Sequence, residues 1–365
     1  MPLTRRCVFF VGMALLPLSL VSGGCPSPDT TGPSSPLASP AATPDPNALP
    51  SGGKKIKAGL VTDVGGIDDK SFNASAWEGL KKAESQLQAE IKFTESKSNA
   101  DYLNNLTRFA DNGYDVVFAV GFLMQDAMKS AAARYPNVKF AIVDGNAPDL
   151  PNAISAKFRE EEGCFLVGAL AGLVTKKNVV GFVGGMEMPL IEKFEAAYVA
   201  GVKTTNPKAS VKVGYAGRFD DPQKGRELAL SQMEAGADII FHASGKTGLG
   251  VIKAVQSSPE GNFAIGVDRD QDGEAPGRVL TSMVKRVDVA VYDVCQETAE
   301  GSFQAGTIEL GLKEGGVGLS PMTHTRDRVP KTAMDRVDAL KQAIIDGKIK
   351  PPKSRKELAT FKPPV

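Results

Sequence analysis

Histidine, cysteine and tryptophan are scarce in this 365-residue chain, which has two, four and one of them respectively. His242 and His324 leave little material for histidine-rich metal sites or for repeated general-base chemistry. Four cysteines spread over this length cannot form a disulfide scaffold. An excess of either charge is missing too. The 43 Lys and Arg balance 42 Asp and Glu, giving a formal net charge of +1. Such a balance argues against a nucleic-acid binder, which needs a basic stripe to displace counterions from phosphates. With 42% hydrophobic, 23% charged and 7% aromatic residues, the chain does not have the composition of a disordered protein, a collagen-like fibre or a multi-spanning membrane protein. At roughly 150 residues per domain, its length leaves room for about two cores.

What is present changes character along the chain. Residues 1–24 read as an export signal, with Arg5 and Arg6 as the positive region and Val8 to Val21 as an apolar stretch too short to span a bilayer comfortably. Ser22, Gly23 and Gly24 precede Cys25, and small residues directly before a cysteine resemble a bacterial lipobox, in which the Cys is acylated and becomes the mature N-terminus. A large aliphatic residue is usual where Ser22 stands, and a plain secretory signal with an incidental cysteine is the alternative. Residues 25–54 are rich in Pro, Ser, Thr, Gly, Asp and Ala, and cannot bury enough apolar surface to offset their ordering entropy. They read as a tether for a domain that begins near Lys55.

From there, short apolar runs alternate with segments of helical period, the pattern of a doubly wound parallel sheet. Strands are expected at Ile56 to Val61, Ile91 to Thr94, Asp115 to Val120, Val138 to Val143 and Ala153 to Ala156. After a long helical segment, Glu160 to Thr175, a second series follows at Val179 to Val183, Val211 to Tyr215, Asp238 to Phe241, Phe263 to Val267 and Val279 to Val284. Asn73 is the expected N-cap of the first helix. A helix over Arg286 to Glu300 precedes a Gly-rich, hairpin-like stretch, Thr307 to Leu319, and a last amphipathic helix, Ala333 to Asp346. The expected class is α/β, with two Rossmann-like doubly wound lobes joined by several crossovers. Residues 55–158 and 304–350 would form the N-terminal lobe, and 159–303 the C-terminal lobe with crossover helices.

Ligands of such sheets sit beyond the carboxyl ends of the strands. Those positions hold Asp63 to Asn73, Gly121-Phe122-Leu123-Met124, Asp144-Gly145-Asn146, Gly217 to Pro222, Ser244 to Gly248, Asp268 to Gln271, and Lys285. Carboxylates accept hydrogen bonds strongly from sugar hydroxyls, and phenylalanines offer faces for stacking. The inventory suits a neutral polyol bearing a flat ring. Each residue also has a plainer reading: Asp63, Asp68 and Asp69 as caps, Phe72, Phe219 and Trp77 as core, and Lys285 as a solvated strand end. Enzyme motifs fail. Ile240 stands where a P-loop ending in Gly245-Lys246-Thr247 requires its first glycine, Gly181-Phe182-Val183-Gly184-Gly185 is no dinucleotide fingerprint, and neither histidine has a nucleophile beside it.

The segment Asp63-Val64-Gly65-Gly66-Ile67-Asp68-Asp69-Lys70-Ser71-Phe72-Asn73, followed by Ala76-Trp77-Glu78-Gly79, resembles the signature of the basic membrane protein family, substrate-binding lipoproteins of ABC importers. Matches in order at Glu162 to Gly168, Gly181 to Gly185, Phe219 to Pro222, Ile265 to Asp268 and Thr281 to Lys285 extend the resemblance from about Lys55 to Ile345. It implies a type I periplasmic binding protein fold and a purine nucleoside between the lobes. It also implies ABC permease and ATPase subunits as partners, attachment to the envelope through lipidated Cys25, and a monomeric receptor that needs no cofactor or metal and catalyses no reaction. Carried over, Phe72 and Phe219 would sandwich the base. Asp63, Asp144, Asp268 and Lys285 would hold polar atoms, with Ser71, Asn73, Gly121, Phe122 and Gly245 lining the site. Cys164 stands where the family often has a small residue such as Ser; in an exported protein, Cys164 and Cys295 could form a disulfide between the two crossovers or remain buried and free. Three other readings stay open: a receptor for a sugar or other small metabolite, a nucleoside hydrolase using Asp63, Asp68 and Asp69 with Ca²⁺, and a surface antigen.

Overall fold

The structure is a computed structural model that describes residues 53–363. The expected signal segment, the lipidation site Cys25 and all but the end of the tether lie outside the described residues. The first series of elements is β1 (Lys57–Thr62), α1 (Phe72–Leu87), β2 (Glu90–Glu95), α2 (Tyr102–Asp111), β3 (Val116–Val120), α3 (Gln125–Arg134), β4 (Lys139–Val143) and β5 (Ala153–Phe158). Then α4 (Glu160–Val174) leads to β6 (Val179–Gly184), α5 (Pro189–Thr205), β7 (Ser210–Tyr215), α6 (Pro222–Glu234), β8 (Ile239–Ala243), α7 (Thr247–Gln256), β9 (Phe263–Asp268) and β10 (Val279–Lys285). The chain closes with α8 (Val287–Glu300), β11 (Gly306–Leu310), β12 (Val317–Leu319), α9 (Lys331–Ile345) and α10 (Arg355–Thr360).

The strands form two six-stranded sheets, ordered β11-β5-β4-β3-β1-β2 and β12-β10-β9-β8-β6-β7. All pairings are parallel except β12 on β10. The central strands β3 and β8 are buried along their whole length, which is why they read as unbroken apolar runs rather than alternating ones. In each sheet the order reverses beside the first strand, between β1 and β3 and again between β6 and β8. These are the switch points at which a crevice opens.

Two expectations are corrected, and one open alternative is decided. The Gly-rich stretch is no hairpin: β11 extends the first sheet beside β5, while β12 joins the second beside β10. The 304–350 segment therefore serves both sheets. Asn73 is not the N-cap of α1 but its second residue, and the cap position belongs to Ser71. The capping carboxylate is Asp69, which accepts the N–H groups of Ser71, Asn73 and Ala74 at 2.9, 2.8 and 3.0 Å. Cys164 and Cys295 are buried and free, the second of the two readings; their helices pack mainly on different partners, α4 on α5 and α8 on α1. Close approach of α4 and α5 depends on Gly168 and Gly201. A Cβ on Gly201 would lie 2.0 Å from the Phe165 carbonyl oxygen, and one on Gly168 2.2 Å from that of Tyr198. Among the described residues no helix is long and apolar enough to cross a membrane.

Candidate functional site

A cavity opens where the carboxyl ends of the two sheets face each other. Its walls come from strand ends and from the first turns of α1 and α5. Gly121 follows β3 with φ of 117°, a backbone conformation that favours glycine, and lies against the Phe72 ring. Asp144 follows β4 and Asp268 ends β9. Both adopt left-handed backbone conformations, which non-glycine residues keep only where the surroundings over-determine them. Gly245 follows β8, also with positive φ.

One half of the cavity is aromatic. The Phe122 and Phe219 rings meet edge to face with centroids 6.3 Å apart, and Phe72 enters from the N-terminus of α1. The other half is charged. The Lys285 ammonium, on a side chain only 2% exposed, stands 2.6 Å from Asp144 Oδ2, 3.5 Å from Asp268 Oδ1 and 3.7 Å from Glu160 Oε1. Glu160 also pairs with Lys193. Burial alone would drive Lys285 towards neutrality, but the three carboxylates outweigh it and raise its pKa, so the ammonium persists. Burial raises the pKa of Asp144, and Lys285 holds part of that rise back. Asp144 Oδ1 is buried with no protein hydrogen-bond partner, leaving one acceptor unused at the charged end. The same ammonium lies 4.7 Å from the Phe72 ring centroid, so the two halves meet at these residues.

Eight of the eleven expected site residues line this cavity: Phe72, Gly121, Phe122, Asp144, Phe219, Gly245, Asp268 and Lys285. Ser71, Asn73 and Asp63 are not on its wall. Ser71 Oγ donates to Asp268 Oδ2 at 2.7 Å, while Asn73 Nδ2 donates to Asp63 Oδ1 at 2.8 Å, directly behind Gly121. Sequence reasoning missed Leu190, Ile191 and Phe194 on α5, together with Ala243 and Val267, while Ser244, named only as a strand-end position, also lines the wall. The strand-end rule would have found the α5 residues had it been carried from the end of β6 into the following helix.

Asp63, Asp68 and Asp69 do not converge on a metal site. Asp69 is spent on the α1 N–H groups, Asp63 accepts from Gly65 and Asn73, and Asp68 is exposed beside Lys70. Among the described residues, no group of three or more His, Cys, Asp and Glu side chains is arranged to hold a metal ion.

Two parallel α/β lobes enclosing an aromatic and charged cleft are the build of a substrate-binding protein of an ABC transporter. Residues 56–355 match the family described as ABC transporter substrate-binding protein PnrA-like, and the chain belongs to that family, Bmp. It is 41% identical over 319 residues to a CD4+ T-cell-stimulating antigen of Listeria innocua, spanning 82% of this chain and 88% of that one. It is 38% identical over 317 residues to the ABC transporter nucleoside-binding protein BmpA of Lactococcus lactis, spanning 81% and 89%. Among solved structures, an ABC transporter solute-binding protein from Aeropyrum pernix superposes with a TM-score of 0.77 at 31% identity, covering 84% of this chain and 96% of that one. The protein is thus a binding component rather than an enzyme. A small-molecule ligand and the transporter's permease and ATPase subunits are its implied partners.

Proposed function

We propose that the cleft captures a purine nucleoside and that the two lobes deliver it to the permease. The observation that carries this reading is one cavity whose wall combines the rings of Phe72, Phe122 and Phe219 with the buried Asp144, Asp268 and Lys285 cluster. A base would stack in the aromatic half, and ribose hydroxyls would donate to the carboxylates, including the unused Asp144 Oδ1. Asp63, Ser71 and Asn73 would act behind the wall rather than on it. The printed name of the Lactococcus lactis relative supports the ligand class.

The same proposal places the protein outside the cytoplasm as a monomer tethered through acylated Cys25. Mass spectrometry of the mature N-terminus checks the anchor: an unmodified N-terminus at any other residue overturns it. Light scattering coupled to size exclusion checks the monomer.

Calorimetry with guanosine, inosine, adenosine, cytidine and ribose tests the ligand. Purine nucleosides should bind with submicromolar affinity, about 8 to 11 kcal/mol. Tight binding of ribose with none of the nucleosides would overturn base stacking and favour a sugar receptor.

A further inference from the structure

The loop that brings Phe72 into the cleft is fastened to the opposite lobe by two consecutive residues. Ser71 Oγ lies 2.7 Å from Asp268 Oδ2 and 3.2 Å from the Val267 carbonyl oxygen. The Lys70 carbonyl accepts from Gln271 Nε2 at 3.1 Å. Neither Ser71 nor Gln271 lines the cavity. Lys70 itself holds a left-handed φ of 55°, a conformation uncommon for a non-glycine residue.

The orientation of the Gln271 amide is fixed from the second lobe. Gln271 is 1% exposed, and its backbone N–H donates to Ser282 Oγ at 3.0 Å. Its Oε1 accepts the Val267 N–H at 2.9 Å and faces His242 Nε2 at 2.9 Å. A backbone N–H can only donate, so the amide oxygen must face Val267 and the amide nitrogen must face Lys70, whose carbonyl can only accept. The bond to His242 then requires the proton on Nε2, leaving Nδ1 towards Ser244 Oγ at 3.5 Å.

We propose that Gln271 is a positioning residue for lobe closure. The path from His242 through Gln271 to Lys70 forms a clasp that sets the population of the closed state without touching ligand; the Ser71–Asp268 bond beside it ends on a carboxylate of the cavity wall. These bonds exist only when the lobes meet, so they contribute to the closed state alone. Apparent affinity scales with the closed fraction, and loss of the clasp therefore weakens every ligand by one common factor. The inference rests on the reading that the lobes close around a ligand, but not on which ligand it is.

The test is Q271E, which keeps the acceptor towards Val267 and replaces the donor with a second acceptor facing the Lys70 carbonyl. The dissociation constants of guanosine, inosine and adenosine should rise together by about tenfold, carried by faster dissociation, as expected for loss of one buried hydrogen bond. Single-molecule energy transfer between dyes at Lys92→Cys and Lys212→Cys, exposed positions on the edge strands β2 and β7, should show the ligand-free closed fraction falling by a similar factor. If Q271E melts well below the wild type, Q271N, whose amide is too short to reach Lys70, carries the same comparison. An unequal effect among the three nucleosides, or an unchanged closed fraction in these variants, overturns the proposal. If the wild type binds no purine nucleoside, the ligand assignment fails, while the energy-transfer measurement still decides the clasp.

Discussion

Asp144 and Asp268 occupy the same place in the two sheets, one just after β4 and the other at the end of β9, with φ of 61° and 65°. The Lys285 ammonium lies 2.6 Å from the first and 3.5 Å from the second. One cation thus joins two carboxylates that the duplicated topology presents from opposite sides of the cleft.

Replacement of Lys285 should therefore be costly. K285M leaves Asp144, Asp268 and Glu160 buried without their shared cation, and removing one partner from a buried ion cluster costs about 3–5 kcal/mol. Urea unfolding at pH 7 measures it. The deficit should shrink as the pH is lowered towards 5. Lys285 holds the raised Asp144 pKa down, so its removal lifts that pKa further; a carboxylate that binds its proton more tightly when folded is stabilised by acid, and the variant gains more than the wild type. An equal deficit at both pH values would contradict this account of the cluster.

His242 gives a pH dependence of opposite sign. Burial pushes its pKa from 6.5 down to about 4, with the Gln271 bond pulling weakly the other way. The unfolded chain then binds the proton more readily, so this contribution is complete above pH 6.5 and is lost as the pH falls towards 4. It amounts to about 3 kcal/mol. Stability curves of the wild type and H242Q should converge over that window.

Gly185 should control the cleft from a distance. A Cβ there would fall 2.2 Å from the Phe219 ring. G185A must push Phe219 towards the cavity or out of its edge-to-face contact with Phe122. Nucleoside affinity should drop by about tenfold with only a small change in melting temperature, an outcome that calorimetry and thermal unfolding separate.

Gly201 is a contrasting case. Its Cβ would meet backbone, the Phe165 carbonyl at 2.0 Å, which cannot rotate away. G201A should cost about 3 kcal/mol by separating α4 from α5. Chemical denaturation of the variant gives the value directly.

The sheets were legible because their strands are buried on both faces. β3 and β8 read as apolar runs. The segment 306–319 misled because β11 and β12 are half-exposed edge strands around a glycine-rich turn, a local pattern shared with a hairpin; only tertiary pairing separates them. Asn73 looked like a cap because its residue type favours caps, whereas the acceptor that reaches the helix is Asp69, four residues upstream. Phe194 and Leu190 were hidden for another reason: on α5 an apolar side chain facing a cleft has the same helical spacing as one facing a core. Glu160 and Gln271 act through partners more than a hundred residues away, Lys285 and Lys70, and no local pattern announces them.

The last strand of each sheet comes from one short stretch of chain, β11 at Gly306–Leu310 and β12 at Val317–Leu319. As synthesis proceeds from the N-terminus, neither half of the molecule can complete its hydrogen-bonded edge until nearly nine-tenths of the sequence has emerged. Expressing the lobes as separate pieces would strip each of its closing strand, so each lobe needs the end of the chain to finish folding.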